Sequence, residues 1–458
     1  MQKQSPSNRR MCLWMVLAAL ALRLAVVAFL YPERLDPDRD HWHFAGETGR
    51  IARSLAEGEG FSNPLFGQTG PTAMIPPVYP YILAAVFDIF GVYTKSSAIA
   101  MLSLNSLFSA LTCLPVFFLA RISLGDGPAA WAGWTWVFFP YAVYFSADLI
   151  WPTILACLLL SVLLLCVLLL EASSRPWYDF WFGILSGVAA LTEPVVLSVL
   201  PPLTAWMYYR RQRRGLQWRA PASAMALGFV LVVAPWFIRN YQTFHTFIPF
   251  RDGFGLQLHI GNNGDSSHFI PPGYQPSLNE GEMREFRRLG ELAYMTRKQE
   301  QAVGFIASHP AWFLGVTLRR ILYMWTSYWS FDPHFLAQEP FNLPDIFLST
   351  VMDLLALAGL YRAFRMGSRA AIPFALVLLF FPMVYYVTVW QDYYRRPIDP
   401  VFVVLASYEV WSRLQRGRER FPQAQEISAG AAGGWRRVSQ GTVGQDNSPG
   451  REPHREVC

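Results

Sequence analysis

Charge is scarce in this sequence, and its scarcity sets the class of protein. Of 458 residues only 15% are charged, against about 25% in ordinary soluble domains. No stretch before the C-terminal tail is polar enough to form a soluble domain, so the two or three domains that the length suggests are not expected. Cysteine is almost missing: there are five, of which Cys12, Cys113, Cys157 and Cys166 fall in apolar runs and Cys458 in the tail. With none in a polar loop no disulfide framework is expected, and no CxxC or Cys/His cluster points to a structural metal. There is no internal repeat, and no pair of interrupted apolar segments in corresponding halves such as transporters carry. The first apolar run is too long for a signal peptide and has no small-x-small cleavage site, so it reads as an uncleaved first span.

What is present is apolar: 53% of residues are hydrophobic and 16% aromatic. Runs of roughly 17–25 such residues cross a bilayer as helices. The candidates are 11–31, 95–121, 128–146, 152–171, 221–238, 341–361 and 371–389, with shorter ones at 178–192, 195–209 and 398–412. Arginine clusters at Arg9–Arg10, Arg210–Arg214, Arg362–Arg369 and Arg413–Arg420 each flank an apolar run. Such clusters mark cytoplasmic ends. About ten crossings that start inside put every cluster inside, together with both termini. The same count leaves 32–94, 147–151, 239–340 and 390–397 outside. The fold expected is an all-α polytopic membrane protein. The apolar stretches 76–91, in the first outer loop, and 311–329, in the fourth, lie in the interface as helices. By region, 1–238 is a transmembrane module with the large outer loop 32–94, 239–340 is an outer loop, 341–415 holds the last spans, and 416–458 is a disordered cytoplasmic tail.

The outer segments collect the polar residues. In 44–57, Phe44, Ile51 and Leu55 form an apolar stripe with Glu47 and Arg50 beside it, and Gly58 and Gly60 stop the helix. Upstream lies an acid-rich run with Asp36, Asp38 and Asp40, then His43. Asp148 stands in a short turn between two apolar spans, where an acid is costly. Arg239 leaves the membrane at the end of 221–238, followed by a Gly-rich stretch with Asn262 and Asn263. Arg395 and Arg396 lie in the last outer loop. Guanidinium groups suit phosphate, and carboxylates suit deprotonation of an acceptor hydroxyl. Taken alone, these charges fit either chemistry on an anionic membrane-borne substrate or a transport pathway.

Four stretches in order and spacing narrow that choice: IARSLAEGEGFSNP followed by GPTAMIPPVYPYILAAVFDIFG, then PYAVYFSADLIWPTIL, then APWFIRNYQTFHTFIPFRDGFGLQLHIGNN, then DYYRRPIDPVFVVLASY. With these the sequence resembles the GT-C superfamily of polyprenyl-phosphate-dependent glycosyltransferases, in the protein O-mannosyltransferase-like branch that includes the aminoarabinose transferase of lipid A. The resemblance covers roughly residues 10–412. It implies an integral enzyme of the inner membrane that transfers a sugar, with inversion, from a polyprenyl-phosphate donor to a glycan, lipid or protein acceptor on the non-cytoplasmic face.

Carried over by position, the family's first-loop aspartate falls at or near Phe44, so the general base is Glu47 or Asp40. Asp148 matches the second-loop acid that orients the acceptor or holds a divalent cation, Mg or Mn, if one is used. Arg239 matches the WxxRN arginine and Arg395 that of the RYRxP stretch. With Arg396 they are the expected ligands of the donor phosphate. His43, Arg50 and Asn262 are expected to contact substrate. Met74-Ile75 precede Pro76-Pro77, where the aminoarabinose branch has a lysine. The resemblance fixes no cofactor and leaves a divalent cation, Mg or Mn, open; no nucleic-acid partner is expected. The rival readings are a transporter or lipid-carrier flippase, and a non-catalytic relative that binds polyprenyl phosphate.

Overall fold

The computed structural model describes residues 6–29, 44, 46–265 and 272–420, and these are helical apart from turns and one isolated bridge, Ser62 to Pro71. The expected base Asp40 and the expected contact His43 lie outside the described residues, as do Asp36, Asp38 and the tail beyond Arg420. By contact the chain divides into two units, Met1–Val410 and Trp411–Cys458.

In chain order the helices are α1 Pro6–Phe29, α2 Glu47–Ala56, α3 Val78–Phe90, α4 Lys95–Leu111, α5 Cys113–Leu124, α6 Asp126–Phe138, α7 Pro140–Asp148, α8 Thr153–Leu170, α9 Pro176–Thr192 and α10 Leu200–Arg213. After them come α11 Arg219–Phe244, α12 Phe254–Gly261, α13 Glu280–Leu289, α14 Glu291–Ser308, α15 Pro310–Thr326, α16 Pro333–Gln338, α17 Asn342–Arg365, α18 Ala371–Phe380, α19 Met383–Val387 and α20 Asp399–Arg420. Among the described residues, five stretches are long and apolar enough to cross a membrane by themselves: Asn8–Phe29, Lys95–Leu124, Thr153–Leu170, Arg219–Phe244 and Asn342–Arg365. The other expected spans fall on shorter helices, on helices interrupted at proline or, for 398–412, on α20, which is long but carries too many charges beyond the span to count by itself. The run 128–146 breaks at Phe139-Pro140 into α6 and α7, and 371–389 breaks at Phe381-Pro382 into α18 and α19. Proline has no N–H for the ladder, and its ring crowds the turn before it.

The tightest helix crossing is α9 against α11. A Cβ on Gly183 would meet the Met225 carbonyl, and one on Gly228 the Phe180 carbonyl, so only glycine lets the two backbones approach. Close approach through small residues is how helices gain contact where surrounding lipid is as apolar as their side chains. Arg23, in the middle of α1, is fully buried and hydrogen-bonded: to the Ser109 hydroxyl and to the carbonyls of Ala19, Val137 and Trp136. A buried guanidinium is tolerable only when its donors are satisfied in this way.

The fourth outer loop, read from sequence as largely polar, holds the helical pair α13–α14. Asn279 caps α13 by accepting from the Gly281 and Glu282 amides at 2.7 and 3.2 Å, which satisfies N–H groups left free at a helix start. Buried Lys298 on α14 meets Glu282 at 2.6 Å and Glu285 at 3.2 Å, clamping the two helices together.

Candidate functional site

Glu47 opens α2, which is amphipathic: Ile51 on its inner face is fully buried in a cluster with Phe61, Leu191, Val233 and Trp236. That burial sets α2 beside the C-terminal ends of α9 and α11. Arg50, one turn on, is buried, lies 3.9 Å from Glu47, donates from Nε to the Pro64 carbonyl at 2.7 Å and stacks over Phe66 at 4.5 Å. Asp148 ends α7. The turn after it is fixed from α4, where Asn105 accepts from the Tyr79 hydroxyl at 3.0 Å and donates to the Leu149 carbonyl at 3.2 Å. Trp151 in the same turn packs on Tyr393, ring centroids 5.4 Å apart. The second outer turn and the last outer loop therefore touch.

The first outer loop is held by Arg239 at the end of α11. Its guanidinium donates to the Thr72 carbonyl at 2.6 Å and the Phe61 carbonyl at 2.7 Å, and it lies over the rings of Phe61, Trp236 and Phe244. Arg395 and Arg396 sit in the 3-10 turn Asp392–Ile398, both buried. Arg395 makes a two-pronged contact with Asp353 of α17, also donates to the Met324 and Trp325 carbonyls, and approaches Asp399 at 3.4 Å. Arg396 donates to Asp399 at 3.2 Å and lies 3.8 Å over the ring of Tyr141. Asn262 is buried too: its amide donates to the Leu258 and Val387 carbonyls and accepts from Arg320, tying α12 to α15 and α19.

Four residues that the sequence did not single out for chemistry, Glu193, Arg251, Tyr393 and Tyr394, complete the cluster. Glu193, in the turn between α9 and the 3-10 turn Pro194–Ser198, faces Arg251 in the loop before α12. Burial pushes the Glu193 carboxyl above its ordinary value, while the Arg251 guanidinium and the Val195 amide pull it down. Among the described residues Arg251 makes no hydrogen bond or ion pair at bonding distance, so its donors are free. Tyr394 stands between the acids. Burial raises its hydroxyl to about 12, Arg251 lowers it, and both Glu193 and Glu47 raise it. Tyr393 is raised well above its usual range by burial, with Glu47 contributing. The ring of Tyr394 stacks on Tyr385 at 4.6 Å. Glu47, Glu193, Arg251, Tyr393 and Tyr394 thus share one electrostatic neighbourhood. The available signal was the Glu-Pro at the tip of an apolar hairpin, a costly place for an acid unless it has a task.

Behind this cluster Asp252 and Glu291 bring two buried carboxyl groups together. Glu291 also accepts from the Ala73 amide, and Asp252 donates its own amide to the Ala73 carbonyl at 3.0 Å. Burial raises Asp252 to about 6 and Glu291 well above its ordinary value, the latter raised further by its neighbour. Two carboxyl groups buried beside each other disfavour both being charged at once. Among the described residues no three His, Cys, Asp or Glu side chains gather to hold a metal ion.

Comparison with known proteins bears on the membrane module. No curated protein matches the chain. Among solved structures, it is similar to the Archaeoglobus fulgidus oligosaccharyltransferase AglB in complex with an inhibitory peptide and a dolichol-phosphate (16% identity, 91% of this chain, 52% of that one, TM-score 0.49). It is also similar to the same organism's enzyme with Zn and sulfate (15%, 91% and 51%, TM-score 0.46). A third is ArnT from Cupriavidus metallidurans bound to undecaprenyl phosphate (15%, 88% and 79%, TM-score 0.36). The chain spans about half the length of the archaeal enzymes, and likeness at this level says nothing of activity. Residues 75–238, about a third of the chain, match the family model described as dolichyl-phosphate-mannose-protein mannosyltransferase.

Proposed function

We propose that this protein is an integral membrane glycosyltransferase that moves a sugar from a polyprenyl-phosphate donor to an acceptor hydroxyl or amine on the non-cytoplasmic face. The observation that carries the reading is the gathering of carboxylates and an uncommitted arginine around Tyr394 in a chain whose residues 75–238 match the mannosyltransferase family model. In the reaction, Glu47 or Asp40 takes the acceptor proton as the acceptor oxygen or nitrogen bonds to the anomeric carbon from the face opposite the phosphate. The bond from that carbon to the phosphate oxygen breaks, its electron pair stays with the polyprenyl phosphate, and the configuration inverts. Asp148 orients the acceptor.

Cations stabilise the departing phosphate. Arg395 and Arg396 supply fixed positive charge, although Asp353 and Asp399 already engage them. Arg239 supplies charge while holding the first loop. Arg251, with its donors open, is the group best able to bond the phosphate directly, a role the residues 74–75 cannot fill. The lipid enters from the membrane, and the enzyme resides in the inner membrane with both termini cytoplasmic.

The test is transfer of labelled sugar from a polyprenyl-phosphate donor by the purified chain in vesicles. Transfer is expected in the wild type and is expected to be lost in Glu47→Gln or Asp40→Asn with the fold intact. Full activity in both variants overturns the first-loop base. Movement of lipid across the bilayer without transfer overturns the enzyme reading in favour of a flippase.

A further inference from the structure

The end of the bundle opposite this site carries a second charged assembly. Helix α8 runs from Thr153, beside the Asp148 turn, to Leu170, about 27 Å at 1.5 Å per residue. At its far end Glu171 is completely buried. Three arginines from two separate segments converge on its carboxylate: Arg210 at 3.4 Å and Arg214 at 3.3 Å from α10 and its cap, and Arg369 at 3.2 Å from the turn between α17 and α18.

The charges do not balance. One carboxylate faces three guanidinium groups, and the neighbouring acid, Asp179, is fully occupied by the two-pronged contact of Arg211 and by the Tyr208 hydroxyl. Each of the three arginines spends a single N–H on Glu171: Nε of Arg210, Nη2 of Arg214 and Nη1 of Arg369. A guanidinium carries five donors in a fixed fork, so most remain open. Their side chains are 39%, 35% and 38% exposed, so the open donors face outward rather than into the core. Exposed Trp177, Trp181 and Tyr209 lie on the adjoining turns, the aromatic types that sit at headgroup level. Glu171 fixes three forks around one point and leaves a surplus of two positive charges there.

We infer that this assembly binds the phosphate of an anionic phospholipid headgroup, with Glu171 as the residue that positions the three arginines. Basic recesses between membrane helices bind such headgroups through charge-assisted, two-pronged contacts. The inference does not depend on the glycosyltransferase reading, since it concerns the other end of the molecule.

The test is native mass spectrometry of the full chain in detergent with phosphatidylglycerol or phosphatidylcholine. The wild type is expected to retain phosphatidylglycerol about tenfold more strongly. Because Arg→Gln changes alone would strand a buried carboxylate, the neutralised variant carries Glu171→Gln with Arg210→Gln, Arg214→Gln and Arg369→Gln. It is expected to lose the preference, while Arg284→Ala on the exposed face of α13 keeps it. Glu171→Gln alone removes the anchor of the three forks and is expected to reduce the preference. Equal retention of the two lipids by the wild type overturns the inference, as does full preference in the neutralised variant. Binding of inorganic phosphate without preference between the lipids overturns the lipid as its source.

Discussion

Replacing Asp353 by Asn tests whether the last outer loop is held by charge. The side chain keeps its shape but loses the negative charge that faces Arg395 in a two-pronged contact, one prong at 3.1 Å. Both groups are almost fully buried, 4% and 6% exposed. Two unit charges about 3 Å apart at an effective dielectric of about 20 attract by roughly 5 kcal/mol, most of which offsets desolvation in the intact pair. Removing one partner exposes that imbalance, and buried pairs broken in this way lose about 3–5 kcal/mol. The lower end is expected, because Asp399 stays 3.4 Å from the Arg395 Nε and the Met324 and Trp325 carbonyls still accept. A loss of about 3 kcal/mol should therefore appear in denaturant unfolding of the detergent-solubilised protein. The double variant Asp353→Leu with Arg395→Met removes both charges and should cost less than about 1 kcal/mol, since an apolar pair of similar volume replaces a buried ion pair at little cost. An Asp353→Asn loss below about 0.5 kcal/mol, or a double variant worse than the single, would refute the reasoning.

Three further outcomes follow from the same geometry. The folded pair Asp252–Glu291 keeps a proton that the unfolded chain releases, so stability present below about pH 4 is lost as pH rises through about 6, by about 3 kcal/mol or less. Asp252→Asn, which removes one of the two titrating carboxyls, should flatten that slope in thermal melts taken from pH 4 to 8, and an unchanged slope would count against proton binding by the pair. Arg251→Ala should raise the donor KM roughly 10- to 100-fold, the value of one charge-assisted hydrogen bond of about 1.5–3 kcal/mol, with melting unchanged; an unchanged KM would remove Arg251 from the phosphate. Gly228→Leu should destabilise by about 1–3 kcal/mol or more by driving a side chain into the Phe180 carbonyl on α9, read as a lower melting temperature.

The membrane-length helices were legible because each is a long apolar run ended by charge or proline, a property of neighbouring residues. Their interruptions at Pro140 and Pro382 were legible only in part: a run of the right length hides a kink, and the run's ends say nothing about where inside it the ladder breaks. The roles of the arginines lay further out of reach. Arg239 reads locally as a guanidinium snorkelling from a span end, yet its donors go to carbonyls 167 and 178 positions away in the chain. The helical pair α13–α14 was hidden differently: its few apolar residues, Met283, Phe286 and Tyr294 among them, face inward under a polar exterior, which in composition alone resembles a loop.

Asp353 and Arg395 carry the point furthest. Read singly, an acid within an apolar span and an arginine in an outer loop suggest two separate functions, one for a pathway through the membrane and one for a phosphate. Joined 42 positions apart, they neutralise each other and fix the loop that presents Tyr393 and Tyr394 to Glu47. A buried charge with its partner present is scaffold first, so the residue to bond a mobile anion is the one whose donors remain open. In the proposed site that is Arg251. Its neighbour Glu193 lies on a different helix hairpin, so the site is assembled only when α9, α11 and the loop before α12 are packed. The stability of the α9–α11 crossing and the affinity for the donor should therefore fall together in Gly228 variants and separate in Arg251 variants. Loss of donor affinity in Gly228→Leu without any loss of stability would break that link.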